Sequence, residues 1–302
     1  VELAAELGVN APFLHRVLRA GAAAGLLWAE ERERFSLTPL GAVFRSDSLW
    51  QGAVHDATHG HPAVWQAWGA LEDAVRQGIP AFLLHHGRGL FSYLDDDPEL
   101  AKAFHATMAT GTALQDPAII AGFDFARFRH VVDIGGGDGT NLASILAANP
   151  GLRGTVFDLE HAVREVPAVL EKAGLSDRCD AVAGDFLEYV PAGADLYLLK
   201  SVVHDWDDEH VRRLLANCRK AMGPEARLVM FTWLMPGGDI RQDTAEELAM
   251  AIQDIELMVM TRGEIRTLDG YARLFSEAGL KIAEVTEIPC PFMLHAVEAV
   301  PD

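Results

Sequence analysis

The run His130-Val131-Val132-Asp133-Ile134-Gly135-Gly136-Gly137-Asp138-Gly139 decides the fold. Its first five residues are rich in branched apolar side chains and read as a buried strand. Glycines then dominate, as they must where a chain turns tightly and approaches a ligand without a Cβ in the way. A helical pattern follows from Asn141 to Ala148. A dinucleotide loop wants G-x-G-x-x-G, so that a pyrophosphate sits on the helix N-terminus. Here the third glycine would fall on Thr140, and Asp138 would repel a pyrophosphate. Glycines at 135, 137 and 139 behind an acid at 133 suit a ligand with a sugar and a cation but no phosphate.

Further strands are predicted at Thr155–Asp158, Ala181–Asp185, Asp195–Leu199 and Arg227–Phe231, with a helix at Glu209–Met222. Strands alternating with helices predict a Rossmann-like α/β fold, a mostly parallel sheet covered on both faces. Ligands in such sheets bind beyond the carboxyl ends of the strands. Two acids stand there. Asp158 is placed to accept both hydroxyls of a ribose. Asp185 with Phe186 offers an acid and an apolar plate for an adenine ring. A strand-end Asp alone often just caps the next helix, but three in order at successive strand ends point to one ligand.

Before this region the pattern is mainly helical. Residues 1–50 read as a winged helix. Leu3 and Leu7 form a short apolar face, and Phe13, Leu14, Val17 and Leu18 recur at helical spacing. Leu26–Trp28 and Arg34–Leu37 are the wing strands, and Thr38-Pro39 starts another helix. The pattern opens inside a helix at Val1, so an N-terminal piece is expected to be missing. The predicted division is a winged-helix and helical domain over 1–96 and a ligand-binding catalytic domain over 97–302. Trp65, Trp68, Phe104 and Met108 read either as core or as the wall of an adaptable apolar pocket.

Charge narrows the partners. Twenty-five Lys and Arg face 44 Asp and Glu, a formal charge of −19. Nucleic-acid binding needs a basic surface, and anionic membranes attract basic segments, so neither is expected as a partner. The winged-helix segment is itself slightly acidic and is read as a dimerisation element rather than a DNA reader. Half the residues are hydrophobic and 23% are charged, which is globular composition. No apolar run reaches membrane-spanning length. Cys179, Cys218 and Cys290 lie far apart, which suits a reducing, cytoplasmic setting and gives no zinc spacing.

On the stretches VVDIGGGDGT, FDLEHAV, GDF, LLKSVVHDWDDEHVRRLLANCRKAM and DIELMVMTRGEIRT, the chain resembles class I S-adenosylmethionine-dependent methyltransferases. The resemblance is to the plant caffeic-acid type and its bacterial natural-product relatives, and it covers nearly the whole chain. It implies cofactor contacts at Asp133, Gly135, Gly137, Asp158, Leu159, Asp185, Phe186 and Lys200. It implies a homodimer held by the winged-helix region. It also implies that His204, in His204-Asp205-Trp206, is the general base that takes a phenolic proton, steered by two glutamates.

The chain departs from that pattern at both glutamates, where Thr232 and Ile265 stand; Glu264 is adjacent but points elsewhere. An unexpected acid is Glu256, which falls in the apolar stripe Leu248, Ile252, Val259 and Met260 of a helix predicted over about 244–260. Burying it demands a pair or a cation. It reads either as a salt bridge to Arg262 or Arg266, or as a ligand that with His204 and Asp205 binds zinc or iron(II). A divalent ion there would hold the enolate of a 2-oxo acid for C-methylation, as in a small subgroup of bacterial relatives that these deviations resemble. Arg88 is expected to pair with the substrate carboxylate, and Trp65, Phe104 and Met108 to line its pocket. His55, His59 and His61 are candidate further ligands. The favoured expectation is a cytoplasmic, dimeric methyltransferase of secondary metabolism that C-methylates a small 2-oxo acid with metal help. The alternatives are O-methylation of a phenol or hydroxy acid with His204 as base, a ligand-responsive regulator, and a relative that has lost methyl transfer.

Overall fold

A computed structural model describes residues 1–31, 34–45, 47, 58–237, 245–290 and 294–302. His55 lies outside these residues. Contacts group the chain into two units, 1–65 with 94–110 and 66–93 with 111–302. A single division at residue 96 does not describe this grouping, because the segment 66–93 groups with the later part of the chain.

In the first unit the helix Ala11–Ala23 starts at Asn10, whose side chain accepts from the Phe13 amide at 3.1 Å. Strands β1 (Leu27–Glu30) and β2 (Arg34–Leu37) then pair antiparallel, Leu27 opposite Leu37. Thr38 closes the hairpin against the next helix, Pro39–Ala42. Its hydroxyl donates to the Gly25 carbonyl at 2.6 Å and accepts from the Gly41 amide at 3.0 Å. These elements follow the predicted order. The helix Ala11–Ala23 nevertheless buries none of its residues, and Phe13 and Val17 are 67% and 66% exposed.

The second unit holds a seven-stranded sheet. Its strands are β3 (His130–Ile134), β4 (Arg153–Asp158), β5 (Cys179–Ala183), β6 (Leu196–Lys200), β7 (Arg227–Trp233), β8 (Leu280–Ile288) and β9 (Leu294–Pro301), in the order β5-β4-β3-β6-β7-β9-β8. The five strands from β5 to β7 are parallel, and β9 joins β7 and β8 antiparallel. The mostly parallel α/β sheet expected from the sequence is therefore present. The last two strands were not anticipated. β8 carries an irregularity between Ile282 and Glu284 and exposes most of its residues, so its apolar alternation is broken.

Strand periodicity divides the core between the two faces. Val131, Val156, Leu198, Val229 and Phe231 pack on one face, with Leu142 and Leu146 of the helix Thr140–Ala148. Val132, Ile134, Phe157, Tyr197 and Met230 pack on the other, with Leu214 of the helix Asp208–Ala221 and Phe275 of the helix Leu268–Glu277. The crossover helices thus cover both sides, and the carboxyl ends of β3, β4 and β6 meet along one edge. β5 ends at Ala183, so Asp185 stands two residues beyond it rather than at its end.

No helix among the described residues is long and apolar enough to cross a membrane. Cys179, Cys218 and Cys290 are all free. Glu298 on β9 is 3% exposed and pairs with Arg127 at 2.6 Å and Arg227 at 3.3 Å. Removing one member of a buried pair leaves the rest uncompensated. Both arginines are partly exposed and solvent shares the load, so Glu298→Gln is expected to lower unfolding free energy in urea by about 1–3 kcal/mol.

Candidate active site

The glycine loop follows β3 directly. Gly135, Gly137 and Gly139 all have positive φ, between 59° and 80°. At Gly135 a Cβ would also come within 2.7 Å of Val202, so neither the backbone shape nor the space admits a side chain. The loop is tied to the next strand: the Gly137 amide donates to Asp158 Oδ2 at 2.9 Å, and the Leu159 amide donates to Oδ1 at 2.7 Å. Asp138 is exposed and accepts from the Thr140 amide at 2.9 Å, at the start of the helix.

Asp133 lies beneath this loop, 2% exposed, and its Oδ2 has no hydrogen-bond partner. Burial pushes its carboxyl up to about 7; Lys200 opposes the shift, and Asp158 and Asp116 add to it. Lys200 ends β6 and donates to Thr112 Oγ1 at 3.1 Å. Burial lowers the pKa of its ammonium against the pull of Asp116 and Asp133. Asp185 accepts from the Leu187 amide at 2.8 Å. Phe186 meets Trp206 edge-on at 5.7 Å. The sequence-predicted cofactor residues on β3, β4 and β6 therefore share one edge. Sequence reasoning missed Thr112, Asp116 and Asn141, which join them from two helices. Asn141 Nδ2 donates to Asp116 Oδ1 at 2.7 Å. No local pattern marked them, since the helix Pro98–Gly122 carries many other polar residues.

His204 sits in the short turn Val203–Asp205 beyond β6, 5% exposed, with Nδ1 unpartnered. Burial drives its pKa down to about 3, and Lys200 and Arg266 push the same way, so the ring is neutral. Its imidazole stacks on Trp233, with centroids 4.6 Å apart. Asp205 Oδ1 is 3.9 Å from its Nε2, beyond hydrogen-bond reach, and burial raises the Asp205 carboxyl to about 7.

No carboxylate stands where the steering glutamates were expected. Thr232 is buried with its hydroxyl 3.3 Å from that of Tyr271. Ile265 packs with Met250, Leu257, Trp233 and Met235. The His204 turn is held through its backbone instead. Buried Arg266 donates to the carbonyls of Val203 at 3.3 Å and Trp206 at 2.8 Å, and to Asp208 at 2.9 Å. Exposed Glu264 pairs with the same guanidinium at 3.3 Å. A Cβ at Gly263 would overlap the His204 carbonyl. The amide of Ile265 donates to Asp254 at 2.6 Å, tying this strap to the helix Ala245–Met260.

The metal set requires correction. The helix Ala245–Met260 buries Met250, Leu257, Val259 and Met260, whereas Leu248 and Ile252 are 62% and 52% exposed. Glu256 therefore does not sit in a buried stripe running through Leu248 and Ile252, and its Oε2 accepts from Gln253 at 3.2 Å. Among the described residues no three His, Cys, Asp or Glu side chains come together as a metal site, so His204, Asp205 and Glu256 do not assemble as one. The further histidine candidates fare no better: His61 accepts from the Ala63 amide at 3.3 Å and faces Asp97 at 3.8 Å, at the start of the helix Pro62–Trp68. Arg88 rests over the ring of Tyr93 at 4.6 Å. Trp65 and Met108 are 72% and 49% exposed, so neither is core; with Phe104 they belong to the first unit.

Residues 68–281 match the family described as the O-methyltransferase domain. The chain belongs to this family. It is 35% identical to the phenazine O-methyltransferase PhzM of Lysobacter antibioticus, over 99% of this chain and 85% of that protein. It is 37% identical to the O-demethylpuromycin-O-methyltransferase of Streptomyces alboniger, over 99% and 79%. Among solved structures it superposes with a TM-score of 0.84, at 29% identity over 100% of this chain and 88% of the other, on an O-methyltransferase from neocarzinostatin biosynthesis. That protein was crystallised with S-adenosylmethionine and 2-hydroxy-5-methyl naphthoic acid. The protein is thus a methyltransferase whose methyl donor is S-adenosylmethionine. The residues present fit that donor: three successive glycines, 135–137, without Cβ atoms, a carboxylate at the end of β4 for a ribose, and a buried acceptor without a donor on Asp133.

Two outcomes follow. A cationic group of the cofactor near Asp133 favours the charged carboxylate, with Lys200, Asp158 and Asp116 facing it from β6, β4 and the helix Pro98–Gly122. Affinity for S-adenosylhomocysteine is therefore expected to hold above pH 7 and to weaken toward pH 5.5, by at most about tenfold per pH unit, in calorimetric titrations. Arg266→Met is expected to lower kcat by about tenfold or more through loss of charged hydrogen bonds. Arg266→Lys should recover part of it, with cofactor affinity unchanged in both.

Proposed function

We propose that this methyltransferase O-methylates a small phenolic or hydroxy-acid natural product, with His204 as general base. The observation that carries this reading is the neutral, buried imidazole of His204, held by Trp233 and a backbone clamp beyond the end of β6. Bound S-adenosylmethionine supplies an electrophilic methyl group. The protein supplies position and proton transfer. Asp133, the glycine loop, Asp158 and Lys200 hold the donor along the sheet edge, with Leu159, Asp185 and Phe186 assigned to its nucleoside end.

His204 takes the hydroxyl proton. Burial keeps the ring in the form that accepts one, and a phenolate formed beside it raises its proton affinity by direct charge attraction. Oxygen is favoured over carbon as acceptor for two reasons. The relatives above are named as O-methyltransferases, and the ligand set expected to hold an enolate does not assemble. Arg88, Trp65, Phe104 and Met108 are assigned to the acceptor by the sequence alone. A homodimer through the first unit is part of this proposal, supported by the exposed Leu7, Phe13, Val17, Trp28 and Leu40. A cytoplasmic setting is supported by the three free cysteines.

The test is His204→Gln assayed with phenolic acceptors. The expected loss in kcat is about 10²–10⁴-fold, the range of general-base catalysis, with affinity for S-adenosylhomocysteine unchanged. Wild-type activity should survive extended chelation. Full activity in the His204 variant, or activity lost to chelator and restored by zinc or iron(II), would overturn this reading.

A further inference from the structure

Asp116 is a buried carboxylate with no part in the proton transfer above. It lies on the helix Pro98–Gly122, 5% exposed, one turn after Thr112. Asn141, 8% exposed, is the second residue of the helix that the glycine loop starts. Its amide nitrogen is spent on Asp116, which leaves Asn141 Oδ1 buried with no donor. Asp133 Oδ2 is in the same condition. Lys200, among the described residues the one cation that acts on both acids, donates to Thr112. The cluster thus contains two buried acceptors without donors and two carboxylates against one ammonium. Buried acceptors are seldom left unpaired, and buried charge calls for compensation.

These acceptors suit a cation with several N–H groups beside the glycine loop. A carboxylate would be repelled there, and an aromatic acceptor brings no charge. The methyl donor carries such a group on its amino-acid tail. We infer that Asp116 and Asn141, together with Asp133, bind the α-ammonium of the cofactor. The negative Asp116 draws the ammonium to this side of the loop, and Asn141 Oδ1 and Asp133 Oδ2 accept its hydrogens. Asn141 is held in that orientation by its bond to Asp116. The assignment rests on the cofactor and not on oxygen as the methyl acceptor, and its test uses no acceptor.

The experiment is calorimetric titration of wild type, Asp116→Asn and Asn141→Leu with three ligands. These are S-adenosylhomocysteine, its decarboxylated analogue, which keeps the amine, and 5′-methylthioadenosine, which lacks the amino-acid tail. Asp116→Asn keeps the shape and removes the charge. It is expected to weaken the first two ligands by about tenfold or more, as loss of a charged partner does, and to leave the third within twofold. Asn141→Leu should show the same selectivity with a smaller loss, and it keeps the proposal testable if Asp116→Asn does not fold. Equal weakening of all three ligands would show a structural role for the pair and overturn the proposal. Undiminished affinity for the two amines would overturn it as well. Weakening of S-adenosylhomocysteine alone would shift the contact from the ammonium to the carboxylate and overturn it equally.

Discussion

The site depends on one constraint, the desolvation of Asp133. Its carboxylate is carried at the end of a strand flanked by parallel neighbours and roofed by glycines, where water cannot reach it. A side chain at Gly135 would collide with Val202, and one at Gly136 would press on Asp133 itself. The loop therefore stays open to a ligand and closed over the acid. The resulting cost is carried by Lys200 from β6 and, in the reading proposed above, by a cation on the cofactor. Loop, acid and lysine come from two adjacent strands and share one edge only because the strands are parallel.

His204, the base in the reading proposed above, is held differently. Among the described residues His204 has no carboxylate within hydrogen-bond reach, since Asp205 is 3.9 Å away and Thr232 and Ile265 carry no charge. Orientation comes from the face of Trp233 and from the Arg266 clamp on the carbonyls either side of the ring. A guanidinium is suited to this task because its fixed fork reaches two carbonyls and a carboxylate at once. Gly263 allows the strap to lie directly against the His204 backbone. The strap also reaches the helix Ala245–Met260, where Asp254 accepts from the Ile265 amide, so the His204 turn is linked to that helix.

Much of this was legible in the sequence. The strands β3, β4, β6 and β7 announce themselves by branched residues, and the glycine spacing with Asp158 separates a nucleoside ligand from a dinucleotide. Three features are not legible there. Apolar Leu248 and Ile252 suggest a buried stripe that includes Glu256, yet the helix turns Met250 and Leu257 inward and exposes the other two. Apolar spacing names a face but not its partner. β8 is not legible because it is an edge strand with a break in its alternation. Asp116 and Asn141 are 25 residues apart and meet through side chains on two helices, a pairing no local pattern displays.

By itself the sequence determined the fold class and the methyltransferase family, because both are written in local composition and short spacing. Strand periodicity and glycine geometry act over a few residues and survive in one dimension. Tertiary structure alone decided which acids share a space. It paired Asn141 with Asp116, set Asp116 and Asp133 about Lys200, gave the His204 turn its clamp, and kept Glu256 from forming a metal site with His204 and Asp205. The reason is physical: a carboxylate's role is set by desolvation and by neighbouring charges, and both are properties of the packed chain.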